Sequence, residues 1–414
     1  MRIQILVDCY LPSTKSSAKL VHDLAVEFRR LGHQPCIAAP DDSLAADCTV
    51  DRGAGITVLR VKSGKIKGAG RIRRAVNEAR LSSTLWTKGR AFFAAHPADL
   101  IVFYSPSIFF GHVVARLKRQ WACPAYLVLR DIFPQWAVDA GVLRKGLAYW
   151  YFRRKERSQY AAADAIGVQS PANLHYFRRP GFDSAHRCEV LYNWTTLDEP
   201  DVPTTAFRRR LGLDGKVIFF YGGNIGVAQD MDNVLRLAEL LRHERNVHFL
   251  LLGDGSEFAR LQADIARRSL SNVSLHPAVS QREYLGVLSE IDVGLISLDR
   301  RLKTQNLPGK MLGYMYHCRP ILASINLGND LADLLSHHQA GWTCINGDDQ
   351  AFRDGALQLA RNPHLRERLG NNGRRLLEQT FSVERAAQQI LARFQTPRRE
   401  SSLPSHDIPS RVTA

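Results

Sequence analysis

Phe220-Tyr221-Gly222-Gly223-Asn224-Ile225-Gly226 decides the fold. An apolar run at 217–221 enters it, and a helical periodicity over 231–241 follows it, so the stretch reads as strand, glycine turn, helix. Gly222, Gly223 and Gly226 lack Cβ atoms and let the backbone come close to a phosphate. The helix start behind them offers unpaired N–H groups and the positive end of a dipole. It is neither a GxGxxG fingerprint nor a P-loop, since no Gly-Lys-Ser/Thr follows. Taken alone, the turn serves equally as a phosphate cradle or as a tight structural turn.

Outward from this turn the same alternation continues. Strands are expected at 247–252, 273–277, 293–297, 320–323 and 340–344, with helices between them. Upstream, strands at 3–7, 34–39, 56–61, 100–104, 125–129, 165–169 and 188–192 repeat the pattern, beginning with an amphipathic helix over 17–31. Strands separated by helices imply parallel sheets with right-handed crossovers. The expectation is an α/β protein of two doubly wound Rossmann-like domains, 1–198 and 206–378, facing a central cleft. A Pro- and Asp-rich stretch at 197–205 links them, a helix at about 380–396 crosses back onto the first, and 397–414 reads as a disordered tail.

A chain of 414 residues is long enough for two cores. No apolar run approaches the roughly 20 residues of a spanning helix, and the N-terminus lacks a signal peptide's apolar core and cleavage site. Seven scattered cysteines without a CxxC argue for a reducing cytoplasm and against a disulfide or zinc framework. The net charge of +16 is uneven: residues 1–200 carry 29 Lys/Arg against 17 Asp/Glu. That half is expected to face something anionic. Nucleic acid is not expected, because no helix-turn-helix, RRM or finger pattern accompanies the charge.

Several residues carry candidate chemistry at strand carboxyl ends. Gly253-Asp254-Gly255 closes a strand beside the first glycine turn. Pro308-Gly309-Lys310 feeds a helix, and Lys310 adds a mobile cation that either stabilises a leaving diphosphate or is a solvated lysine. Asp230-Met231-Asp232 matches a metal-binding DxD in spelling, but opens a helix, where acids cap N–H groups. In the first half, Arg130-Asp131 leaves a strand. Asp131 either accepts from a sugar hydroxyl or pairs with its neighbour. Ser105, and Ser16 with Ser17, end or follow strands on the same cleft. Tyr149-Trp150-Tyr151-Phe152 lies among six cations, including Arg153 and Arg154, and a basic run holds Lys65, Lys67 and Arg71. These read as a membrane-surface helix and loop, or as ordinary core and solvated faces.

In this order of appearance, with Asp292-Val293-Gly294, Arg319-Pro320-Ile321-Leu322 and Asn371-Asn372-Gly373-Arg374, the motifs resemble glycosyltransferase family 4, the retaining GT-B enzymes of bacterial polysaccharide synthesis. The likeness covers about 1–396. Arg-Asp-Ile-Phe-Pro and Tyr-Gly-Gly-Asn-Ile-Gly-Val-Ala-Gln look most like a subgroup that transfers amino-deoxysugars such as N-acetylfucosamine in O-antigen or capsule assembly. The resemblance implies a UDP-sugar donor in the second domain, a polyprenyl-diphosphate-linked saccharide acceptor, an anionic inner-membrane surface and no metal or other cofactor. It implies that Gln305 replaces the first of two paired glutamates, toward the donor sugar, and that Gly313 replaces the second, which holds the ribose. Arg130 stands where many members have a catalytic His. The Arg and Lys that often follow the glycine turn are absent, with Asn224 and Gln229 nearby. These departures leave a second expectation open, a nucleotide-sugar-binding scaffold with little or no activity.

Overall fold

The computed structural model describes residues 1–13, 15–53, 55–65, 71–139, 141–178, 187–198, 206–303 and 307–394, with the side chains of 71–75 excepted. Lys67, Gln305, the Arg71 side chain and the 397–414 tail lie outside the described residues.

The first sheet contains β1 (Arg2–Leu6), β2 (Gln34–Asp41), β3 (Cys48–Gly53), β4 (Ile56–Lys62), β5 (Leu100–Tyr104), β6 (Ala125–Leu129), β7 (Ala165–Val168) and β8 (Cys188–Val190). Their spatial order is β3-β4-β2-β1-β5-β6-β7-β8. The strands' period of two sorts their side chains into two cores. Ile101 and Phe103 pack toward the helices Arg71–Ala95, Gly111–Trp121 and Leu147–Ala162. Leu100, Val102 and Tyr104 pack toward the helix Ser16–Arg30. All pairings are parallel except β3 with β4, a strand the apolar pattern did not reveal. Asp51 and Arg52 in β3 are exposed because the strand lies at the sheet edge, and Arg60 of β4 reaches across to Asp51 at 2.6 Å.

The second sheet contains β9 (Val217–Gly222), β10 (Val247–Leu252), β11 (Val273–His276), β12 (Val293–Ser297), β13 (Ile321–Ile325) and β14 (Gly341–Ile345), in the order β11-β10-β9-β12-β13-β14 and wholly parallel. The order reverses between β9 and β12, so the crevice at their carboxyl ends is the natural ligand position.

The C-terminal helical stretch is two helices, Pro363–Thr380 and Val383–Ala392. Ser382 interrupts them and caps the second by accepting from the Arg385 N–H at 3.2 Å. Val383, Ala387, Ile390 and Leu391 then bury against Val21, Leu24 and Phe28 of the first domain. Where the chain crosses back, Thr195 exchanges backbone bonds with Phe381 and Val383 at 2.9 and 3.0 Å. The two crossing segments are therefore bonded side by side, running parallel at Thr195 and Ser382.

Candidate active site

A cleft of about 1610 Å³ opens between the carboxyl ends of the two sheets. Its second-domain wall is built from Tyr221 and Asn224 at the glycine turn after β9, from Val227–Gln229, the loop after β12 and the Leu307–Lys310 turn, while Gly222, Gly223 and Gly226 themselves do not line it. The first-domain wall is the loop from Asp131 to Asp139 and the start of the helix Pro171–Phe177.

The glycine turn does not present its N–H groups in the expected way. Gly223 donates to the Leu252 carbonyl at 2.9 Å and Ile225 to the Asp254 carbonyl at 2.8 Å. Gly226 donates to Gln229 Oε1 at 3.2 Å, and Gly222 meets the Tyr314 hydroxyl at 3.4 Å. Within and just after this turn, the cleft-lining residues whose amides have no acceptor among the described residues are Asn224, Val227 and Ala228. The free N–H groups thus lie a few residues along from the expected position, at the start of the short 3₁₀ turn Val227–Gln229. The glycines are needed for packing. A Cβ on Gly253 would lie 1.8 Å from the Gly223 oxygen, and one on Gly255 would lie 2.1 Å from the Ile225 oxygen. Gly253 and Gly255 buttress the turn from behind and do not line the cleft. Gly223 itself needs its φ of +120°.

Lys310 supplies the charge. Its Nζ sits 3.3 Å from the centroid of the Tyr221 ring, and the same atom would be 3.9 Å from a Cβ on Gly223. Pro308, Gly309 and Lys310 all line the cleft. Lys310 has no ion pair among the described residues, and burial lowers its pKa well below the ordinary lysine range. The Tyr221 ring partly compensates that desolvation through its π face, and the Tyr221 hydroxyl donates to the Asn224 carbonyl. One tyrosine therefore positions both the cation and the turn.

The DxD spelling has another use. Asp230 stands at the helix start with φ of +41° but makes no side-chain cap. Its carboxylate instead accepts from Asn346 at 2.9 Å, while Asp232 pairs with Arg260 at 3.0 Å. The expectation that these acids cap free N–H groups is corrected: neither side chain caps the helix start.

On the first-domain wall Asp131 lines the cleft, but its neighbour does not. Arg130 is 6% exposed and donates to the carbonyls of Leu191 at 2.6 Å and Tyr192 at 3.3 Å, with its guanidinium over Trp194. Arg130 fastens the strand ends from inside, so its placement on the acceptor side of the cleft is corrected. Burial lowers its pKa, while nearby Tyr104 and Tyr126 oppose that shift. Ser105 is fully buried beneath the cleft. Ser17 turns back to Cys9, with Oγ to Sγ at 3.2 Å, and Ser16 is exposed outside the cleft lining. These three serines do not form the wall.

The aromatic–basic segment divides in two. Leu147, Trp150 and Tyr151 are exposed on the helix Leu147–Ala162, at 92, 61 and 43%, and Arg154 one turn on is exposed too. Arg153 belongs to the interior instead: it pairs with fully buried Glu156 and donates to the Tyr176 hydroxyl at 2.6 Å. Its assignment to a membrane face is corrected, because a charge whose partner is desolvated stays with that partner. Lys65 is exposed.

The cleft also holds residues the sequence reading passed over: Asn173, His175, Arg301, Lys303 and Asp330. Asp299-Arg300-Arg301 lies just past the carboxyl end of β12, the kind of position that marked the other candidates. Asp330 accepts from the Ala172 N–H across the cleft at 2.8 Å, a contact no local pattern encodes.

Residues 17–194 match the glycosyl transferase 4-like domain, and 203–376 match glycosyl transferases group 1. The chain is 25% identical over 233 residues to a Pseudomonas aeruginosa protein named "Probable glycosyltransferase WbjE", covering 55% of this chain and 57% of that one. It is 25% identical over 264 residues to the GDP-mannose-dependent alpha-mannosyltransferase of Mycobacterium tuberculosis (strain CDC 1551 / Oshkosh), covering 64% and 65%. Each match spans less than two thirds of the relative's own length. Anabaena Alr3699/HepE, solved in complex with UDP-glucose, superposes with a TM-score of 0.65 at 16% identity, over 95% of this chain and 99% of the other. That likeness shows the GT-B fold. The chain belongs to the glycosyltransferases of this fold, with a 4-like domain before the linker and a group 1 domain after it.

Proposed function

We propose that the chain moves a sugar, an N-acetylated amino-deoxyhexose, from a nucleoside-diphosphate donor (UDP) to a saccharide on a polyprenyl diphosphate, in bacterial surface polysaccharide synthesis. Transfer takes place on the cytoplasmic side of the inner membrane. The observation that carries this reading is the unpaired Lys310 ammonium, held over Tyr221 beside the glycine turn and inside the cleft. The donor class draws further support from a relative named for GDP-mannose and a structural neighbour solved with UDP-glucose.

As the bond between the anomeric carbon and the diphosphate oxygen breaks, negative charge grows on the leaving group. Lys310 and the amides of Asn224, Val227 and Ala228 stabilise that charge more strongly than the ground state. The acceptor oxygen bonds to the anomeric carbon on the same face, and its proton passes to the departing phosphate oxygen, which gives retention. Asp131 orients the acceptor hydroxyl by accepting its hydrogen bond. Gln305 serves a donor-sugar hydroxyl without charge. No divalent metal takes part: Lys310 does the neutralising, and Asp230 and Asp232 are occupied with Asn346 and Arg260. Exposed Trp150 and Tyr151 set the first domain on the anionic surface that presents the acceptor.

One observation favours binding without transfer. A Cβ at Gly313 would lie 2.9 Å from Leu288, so this position faces a neighbouring helix and offers the ribose nothing. Thermal stability against UDP, GDP and their sugars in EDTA, followed by a donor-consumption assay, separates the readings. A shift with UDP species and donor consumption with a lipid-linked acceptor is expected. A shift without transfer or donor hydrolysis gives the scaffold reading, and no shift with any nucleotide ends both.

A further inference from the structure

A second cavity, of about 260 Å³, lies in the first domain away from the cleft. It sits where the helices Arg71–Ala95, Gly111–Trp121 and Leu147–Ala162 meet, and Ser82, Ser83, His112, Arg116, Lys155 and Ser158 line it. Gly111 creates the junction: a Cβ there would come within 2.8 Å of the backbone at Ser158 and Gln159, so only glycine lets the two helices cross this closely. The crossing brings Lys155 and Ser158 to the start of the 11-residue helix Gly111–Trp121. There the amides of Gly111 and His112 have no acceptor among the described residues, while Val113 already donates to the Ser82 hydroxyl at 3.3 Å.

The lining is cationic and hydroxylic. No carboxylate is among the described residues that form it. Arg116 and Lys155 make no ion pair among the described residues, and each is held by an aromatic face, Arg116 over Trp86 at 5.3 Å and Lys155 over Tyr151 at 5.6 Å. Ser82 donates its hydroxyl to the Phe109 carbonyl, which leaves a planar guanidinium fork, a mobile ammonium, the Ser83 and Ser158 hydroxyls and a helix start, together a recognition set for a phosphate group.

We propose that this cavity seats a phosphate group, supplied by the headgroup of an anionic membrane lipid. The lipid source rests on the membrane reading above. It follows from Lys155, which is shared between the cavity and Tyr151. Tyr151 is exposed beside Trp150 and Leu147, so lowering those side chains into an interface brings the cavity mouth to headgroup level. The cavity thus makes membrane contact selective for phosphate, where a merely basic surface responds to charge alone.

The test compares the full chain on two sets of phosphatidylcholine vesicles matched in surface charge, one carrying phosphatidic acid and the other oleate. Wild type is expected to prefer phosphatidic acid, and Arg116→Gln/Lys155→Gln to lose about thirtyfold in affinity for it, roughly fivefold per cation at an anionic surface. The preference over oleate should vanish in the double variant. Inorganic phosphate at constant ionic strength should displace wild type from phosphatidic acid vesicles and leave oleate vesicles bound. An unchanged melting temperature and unchanged UDP-induced stabilisation of the double variant confirm its fold. Equal binding of wild type to both vesicle types overturns the phosphate pocket while leaving membrane contact intact. Equal binding together with stabilisation by inorganic phosphate that the double variant lacks assigns the cavity to a free solute and overturns the lipid source. Failure to bind either vesicle overturns the membrane reading itself.

Discussion

Replacing Lys310 with methionine removes the charge and keeps most of the side-chain volume over Tyr221. A unit charge about 4 Å from a phosphate oxygen interacts by roughly 4 kcal/mol at the effective dielectric of a partly exposed site. Only the part that grows as the leaving group acquires charge enters turnover. Removing one preorganised stabiliser of this kind costs near 3 kcal/mol, or about a hundredfold in kcat. The resting protein is expected to behave oppositely. Burial disfavours the Lys310 ammonium, so losing it does not lower the melting temperature of the nucleotide-free chain. The UDP-induced rise in melting temperature should shrink at the same time. The depressed pKa also fixes a pH dependence. Diphosphate binding raises it again, so between the free and bound values the protein takes up a proton on binding, and affinity falls as pH rises through that window. Calorimetry in buffers of different ionisation enthalpy measures the uptake, and Lys310→Met should abolish it. Unchanged turnover together with unchanged proton uptake would remove Lys310 from the site.

Gly253→Ala places a methyl group 1.8 Å from the Gly223 oxygen. It should cost roughly 1–3 kcal/mol of stability and abolish UDP-induced stabilisation; retained nucleotide binding would show that the turn does not form the donor site. Arg153→Leu leaves Glu156 buried and unpaired. Denaturant unfolding should show a loss of about 3–5 kcal/mol with vesicle binding intact, whereas lost binding in a stable variant would return Arg153 to the surface. Turnover should be full in EDTA, and a strict Mg²⁺ requirement would refute charge neutralisation by Lys310 alone. Gln169→Leu removes the donor to the Leu307 carbonyl, 2.9 Å away and buried. An unsatisfied buried carbonyl costs about 1–3 kcal/mol, and kcat should fall while UDP-induced stabilisation persists; equal loss of both would make the contact merely structural.

The sheets were legible because their strands are buried on both faces. Phe219, Phe220 and Tyr221, like Leu100 to Tyr104, are apolar whichever way they point, and glycine turns mark where they end. β3 was not legible, since an edge strand with one partner tolerates Thr49, Asp51 and Arg52. At the cleft, position along the chain identified loops that reach its walls but not the direction of each side chain. Arg130 and Asp131 are adjacent, yet one turns inward to bond Leu191 and Tyr192 and the other faces the cleft. The partners that decide this are some sixty residues away, beyond any local periodicity. Arg153 was misassigned for the same reason: Glu156 is local, but Tyr176, which completes its buried network, is not.

The two domains do not merely face each other: side chains of each bond to the other at two places beside the cleft. Gln169, at the end of the β7 strand, holds the Leu307 carbonyl, three residues before Lys310 on the same turn. Asp330, beside the cleft-lining Gly328, accepts from Ala172 at the start of the helix that also carries His175. In the proposed reaction the acceptor meets the first-domain wall, which includes Ala172 and lies beside Gln169, and the donor phosphate meets Lys310 on the second. The Gln169 contact and the proposed donor contact therefore meet on the Leu307–Lys310 turn, while the Ala172 contact falls at the start of the helix Asp330–His337. On the proposed reading, engagement of the two walls then supports the turn that carries the cation, so closure and charge stabilisation are expected to reinforce each other. Donor hydrolysis without acceptor should then be slow, because water exerts no force on the first-domain wall.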